Sequence, residues 1–146
     1  MMKNVVILGS LAGVLCGWQS TAPSAKHDLE QMQGEWRVVK AVRAGHDAPE
    51  DVRAKLSVKI EGNVFILVEQ GNAREERAEV TLNPKTEPRQ MDLRLKRPGA
   101  EPGKGIYRIE GDTLTLCWVP EGAERPKKFE SESGTNVRLL VLKRNK

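Results

Sequence analysis

Chemistry needs a few residue types brought together, and this chain is sparing with them. It holds two histidines, His27 and His46, and two cysteines, Cys16 and Cys117. A metal site asks for several His, Cys or carboxylate ligands converging on one point. The nearest approach is His46-Asp47 with Glu50, in a stretch of Gly, Asp, Ala and Pro that reads as a solvated loop. No metal and no cofactor is implied. Cys117 would be a nucleophile only beside a base that lowers its pKa. Thr113 and Thr115, on its side of a strand, supply none, and there is no Cys-x-x-Cys partner. A buried structural thiol is expected. Ser131 and Ser133 lack a Gly-x-Ser-x-Gly setting. Glu75-Glu76, flanked by Arg74 and Arg77, reads as facing water and not as a buried acid–base pair. Gly62, Gly71, Gly99 and Gly103 mark turns; no phosphate-binding loop precedes a helix. No catalytic residue is nominated, and the chain is not expected to be an enzyme.

Two groups are better suited to binding. The basic set Arg89, Arg94, Lys96, Arg97, Lys104, Lys127 and Lys128 would attract an anion if it collected at one end of a barrel; the default is a solvated face. The aromatics Trp36, Phe65, Tyr107 and Trp118 would either line a small-molecule cavity or fill a closed core, since a barrel of about eight strands allows both. The net charge of +4 comes from 24 basic and 20 acidic residues that are interspersed. Nothing resembles the clustered basic stripe of a nucleic-acid reader, and no nucleic-acid partner is expected.

The elements that must position these residues are strands. In Gly105 to Trp118, GIYRIEGDTLTLCW, two strictly alternating runs flank Glu110-Gly111-Asp112. A period of two around such a turn predicts a β-hairpin, with Tyr107 and Ile109 packed against Leu114, Leu116 and Trp118 on one buried face. The alternation recurs in Leu56/Val58/Ile60, Ala78/Val80/Leu82, Met91/Leu93/Leu95 and Val137/Leu139/Val141. Val64 to Glu69 is apolar on both faces, as a strand in mid-sheet would be. Trp36, Val38 and Val42 are expected to face opposite to Val39 and Ala41. Loops are expected at 83–88, 97–104 and 120–126, and a short strand over 127–130. Helix is expected only near the start, capped by Asp28 with Leu29 and Met32 three apart, and as a short turn over 51–55. Eight or nine strands with turn chemistry between them predict an all-β antiparallel meander, closed as a barrel in preference to a sandwich because closure removes exposed edges.

Ahead of this domain, Met1-Met2-Lys3-Asn4 gives a short positive start, followed by the apolar run Val5 to Leu15 and the small and polar residues of 19–25. That is the layout of an export signal over residues 1–25, leaving one domain at 26–146 outside the cytoplasm, periplasmic or extracellular. The run falls short of the roughly 20 apolar residues of a membrane span. Cys16 raises lipidation as an alternative, but Leu15 stands where lipoprotein signals usually carry a small residue. If Cys16 leaves with the leader, Cys117 has no disulfide partner within the chain.

Four stretches carry a family resemblance: MQGEWRVVKAVRAGHDAPE at 32–50, NPKTEPRQMDL at 83–93, GKGIYRIEGDTLTLCWVPEGAERPKKFE at 103–130 and LLVLKR at 139–144. The chain resembles the small exported lipocalin-like domain abundant in planctomycete bacteria. The resemblance implies a lipocalin-like β-barrel of about eight strands with a short N-terminal helical turn. Gly34-x-Trp36 also resembles the opening motif of lipocalins, in which the Trp packs under the barrel base beside a basic residue of the last strand; Arg138, Lys143 and Arg144 are the candidates. No activity or catalytic residue comes with the resemblance. The expected function is non-enzymatic binding of a small apolar or amphipathic ligand inside the barrel. The alternative is a filled barrel that presents its surface to another protein or envelope component. A hollow barrel would show small residues or a gap at one mouth, and an interaction domain a packed interior.

Overall fold

Alternation at a period of two drives most of this chain into strands. The structure is a computed structural model that describes residues 24–71, 74–96, 98–99, 101–120 and 123–145. The expected leader and Cys16 lie outside the described residues. Helix α1 (Ala25–Met32) leads into β1 (Gly34–Arg43), followed by β2 (His46–Asp47) and helix α2 (Glu50–Arg53). Then come β3 (Leu56–Glu61), β4 (Val64–Glu69), β5 (Arg74–Asn83), β6 (Arg89–Leu95), β7 (Gly103–Glu110), β8 (Thr113–Val119) and β9 (Arg138–Arg144). β1 pairs with β3, each strand from β3 to β8 pairs antiparallel with its successor, and β9 returns to pair with β1. The result is a closed eight-stranded antiparallel barrel of lipocalin-like form, with β2 attached only to the end of β1. Closure leaves no long edge for another chain to extend.

The hairpin of β7 and β8 has the predicted register: Tyr107 lies opposite Leu116 and Ile109 opposite Leu114. Its turn, like that between β3 and β4, places a glycine first, with φ of +57° at Gly111 and +59° at Gly62. Glycine enters that left-handed region without a Cβ penalty. The inward residues form one core, including Trp36, Val58, Met91, Tyr107, Leu114, Leu116 and Leu142.

β1 departs from simple alternation. Its register against β9 shifts between Val38 and Lys40, so Ala41, not Val42, follows Trp36 and Val38 into the core. A bulge inserts one residue and exchanges the faces beyond it. The Val39 carbonyl at the bulge accepts a hydrogen bond from Arg53 Nη1 of α2 at 2.6 Å. Val42 is thereby turned outward, where it packs with Ile106, Cys117 and Leu139 under Phe129 and Val137. The cover comes from the segment between β8 and β9. Residues 127–130, expected as a strand, are irregular in it. Arg125 pins this strap by donating to the carbonyls of Met91 at 2.9 Å and Gly105 at 2.8 Å and to Asp92 Oδ1 at 2.7 Å.

One end of the barrel is stopped by α1. Trp36 Nε1 donates to the Met32 carbonyl at 2.8 Å, and the Arg144 guanidinium lies 4.3 Å over the Trp36 ring. Arg144 also donates to the carbonyls of Gln33 and Gln31, and the Gln33 side chain donates to the Leu29 carbonyl at 2.9 Å. The last carbonyls of a helix lack partners within it, and here donors from the barrel supply them. Of the three candidate basic residues, Arg144 is the one beside Trp36. Asp28 is not the helix cap. Ser24 is, accepting from the His27 N–H at 3.0 Å. Asp28, 1% exposed, instead turns inward, and its Oδ2 accepts from the Tyr107 hydroxyl at 2.6 Å and from Arg89 Nη1 at 2.9 Å.

Truncating Trp36→Ala should destabilise the protein by about 3–5 kcal/mol, through lost burial and the void left beneath Arg144. An unchanged urea midpoint would reject its place in the core. Asp28→Ala should cost about 1–3 kcal/mol, chiefly from the stranded Tyr107 hydroxyl, because Arg89 is 35% exposed and can turn to water. Thermal melts of the two variants check both magnitudes.

Candidate functional site

The end of the barrel opposite α1 is not filled. A cavity of about 400 Å³ opens there. Phe65 and Leu67 of β4, Ala78 of β5 and Leu93 and Leu95 of β6 form its apolar wall on one side, with Trp118 and Pro120 facing them. Glu76, Glu101 and Arg138 bring charge to it, and Gly103 completes the lining. The hollow follows from side-chain size. The stopped end receives Trp36, Tyr107, Met91 and Leu142, whereas Ala78 and Gly103 contribute almost nothing at the mouth.

Gly103 is a strand residue, not the turn expected from sequence, and β7 requires glycine twice. A Cβ on Gly103 would stand 2.9 Å from the Val119 carbonyl oxygen. One on Gly105 would meet the Cys117 carbonyl oxygen at 2.7 Å and Trp118 Cβ at 2.8 Å. β7 and β8 therefore approach too closely for any side chain at these two inward positions, so β7 cannot help to close the mouth.

The charged groups at the mouth have unequal surroundings. Glu76 and Glu101 are exposed, while Arg138 is half-buried. On the first strand, Arg43 lies directly across from Arg138, and Trp118 does so on the other side. Burial lowers the pKa of Arg138 from its ordinary value, Arg43 lowers it further, and Glu76 opposes them. A guanidinium stays charged nonetheless. Glu75 and Glu76 are both exposed, as expected, but on opposite faces of β5: Glu76 stands at the rim of the cavity, while Glu75 accepts from Arg77 Nε on the outer face at 2.7 Å.

Of the four aromatics predicted to line a cavity, Phe65 and Trp118 do so; Trp36 and Tyr107, each 1% exposed, pack in the core toward α1. The basic set does not collect. Arg89 is at the stopped end with Asp28, Lys96 reaches toward Glu79 at 3.9 Å, and Arg94 and Lys104 stand opposite Glu79 and Asp92 on the outer surface. Lys127 and Lys128 lie on the strap, and Arg97 is outside the described residues. Sequence reading missed Arg138 as a cavity residue; its signal was a charge at an inward position of β9, in phase with Leu140 and Leu142. His27, His46 and Asp47 are exposed, and among the described residues no group of three or more His, Cys, Asp or Glu could hold a metal ion.

Cys117 lies fully buried beneath the strap on the outside of β8. Its thiol faces the carbonyl oxygens of Lys128 at 3.4 Å and Glu130 at 3.8 Å, and burial pushes its pKa up to about 11. Among the described residues no helix is long and apolar enough to cross a membrane. No family model, curated protein or solved structure matches this chain.

The native Cys117 thiol should resist iodoacetamide at pH 8, because the reactive thiolate is suppressed below the raised pKa, and should alkylate readily once the protein is denatured. Peptide-level mass spectrometry of the Cys117 peptide checks this; rapid native labelling would contradict the buried placement.

Proposed function

We propose that this protein is a non-enzymatic carrier or sensor that takes a small apolar or amphipathic molecule into the open mouth of its barrel. One observation carries the reading: a cavity of about 400 Å³ with apolar walls and three charged groups at its rim. Ligand sites are commonly clefts of about 300–1,000 Å³, mostly apolar with a few placed polar groups. Among the described residues, the polar groups that meet there, Glu76, Glu101 and Arg138, include no thiol, hydroxyl or imidazole nucleophile, which favours binding over catalysis. Phe65 and Trp118 are the aromatic contacts for the ligand, and Trp36 and Tyr107 support them from below.

In this reading the chain is a member of the exported lipocalin-like family that it resembles, residues 1–25 are its export signal, and the barrel works in the periplasm or outside the cell. The support is the leader's charge and hydropathy pattern.

Native mass spectrometry of protein purified from its own envelope extract, against a denatured control, should reveal a non-covalent adduct of small-molecule mass. Ala78→Phe, which fills the cavity from β5, should weaken rebinding of that molecule by about tenfold or more without lowering the melting temperature. A bare mass in repeated preparations, with no response of Trp118 fluorescence to a panel of amphiphiles, would favour the alternative of a barrel that acts as an interaction domain.

A further inference from the structure

We infer that the ligand of this cavity carries an anionic head, a carboxylate or a phosphate, which is received by the guanidinium of Arg138, while its apolar chain lies against Phe65, Leu67, Leu93 and Leu95. The inference rests on the binding reading above and gives it a ligand class.

Arg138 is set apart by its lack of a partner. The other arginines near it in degree of burial each have at least one protein partner: Arg89 with Asp28, Arg125 with Asp92 and two carbonyls, Arg144 with helix carbonyls and Asp112, and Arg53 with the Val39 carbonyl through Nη1, its Nε being left unpaired. The Arg138 guanidinium has no hydrogen bond or salt bridge among the described residues, although the side chain is half-buried and lines the cavity. Withdrawing a charge from water without a partner is unfavourable, and Arg43, its cross-strand neighbour, adds like charge.

The two carboxylates at the same mouth would on their own repel an anion or select a cation. Both are exposed, so they keep their hydration, and salt screens their reach toward a ligand. The group that gains most from a bound counter-charge is the half-buried cation whose donors no protein acceptor occupies. The planar guanidinium fork also matches the paired oxygens of a carboxylate or phosphate, which a point charge does not. Glu76 acts on Arg138 through the field across the mouth without occupying its hydrogen-bond donors.

Isothermal titration of the purified protein with decanoate, decyl phosphate, decanol and decylamine tests this. One or both anions should bind about tenfold more tightly than decanol, the gain of a hydrogen bond to a charged group, and the tighter of the two identifies the head. Arg138→Met should bring anion and alcohol to within about threefold of each other by weakening only the anion. Arg138→Lys, which keeps the charge without the fork, should retain part of the preference. Equal binding of decanoate and decanol to the wild type would overturn the inference while leaving the binding reading intact. So would tightest binding of decylamine, which would give selectivity to Glu76 and Glu101, or an anion preference that survives in both variants. If decanol too fails to bind, the binding reading itself falls, and this inference with it.

Discussion

The contact on which the rest depends is the guanidinium of Arg144 lying on the ring of Trp36. It joins the last strand to the first at the point where the barrel closes, and the same two side chains hold the carbonyl end of α1. An eight-residue helix would not persist in water unaided. Here three of its closing carbonyls are bonded by groups already fixed in the sheet. A partly desolvated cation–π contact of this kind contributes about 1 kcal/mol, more than the exposed ion pairs such as Lys59–Glu61 and Arg108–Glu110, whose side chains are solvated and whose effect is correspondingly small. Asp28 adds a second fixing point four residues earlier in the helix than Met32, so the stopper is tied at both of its ends.

That arrangement divides the interior. Bulk is concentrated against the helix, and the two inward glycines of β7 forbid bulk at the other end by bringing β7 and β8 too close for a Cβ. The asymmetry does not come from strand number or length, which would suit a filled barrel equally well. It comes from a handful of positions where alanine or glycine replaces a large side chain. The cavity is thus a property of packing, with charge distributed around an apolar hollow.

Much of the fold was legible because it depends on local periodicity. The hairpin of Tyr107, Ile109, Leu114, Leu116 and Trp118, the strands of residues 56–69 and 78–95, and closure into a barrel all follow from alternation and turn chemistry. What was not legible involved long-range partners. Asp28 looks like a helix cap because its side chain suits that role locally, whereas its actual partners, Arg89 and Tyr107, lie 61 and 79 residues away. The bulge at Val39 follows from pairing with β9 and from Arg53, neither of which leaves a mark in the WRVVKAVR run. At the site, aromatic type alone did not separate Phe65 and Trp118, which line the cavity, from Trp36 and Tyr107, which fill the core, because depth along a barrel is set by register. Arg138 and Glu76 were considered in other roles and not at the cavity for a related reason: a charge in an inward phase looks like noise until the mouth is seen to be open.

The termini of the described chain share one end of the barrel. Ser24 begins the helix that stops it, and the Asn145 N–H donates to the Glu35 carbonyl at the start of β1 at 3.0 Å. The mouth therefore points away from both. A tether, fusion partner or sensor surface joined at either terminus would hold the barrel like a cup on its base, with the rim turned outward and accessible.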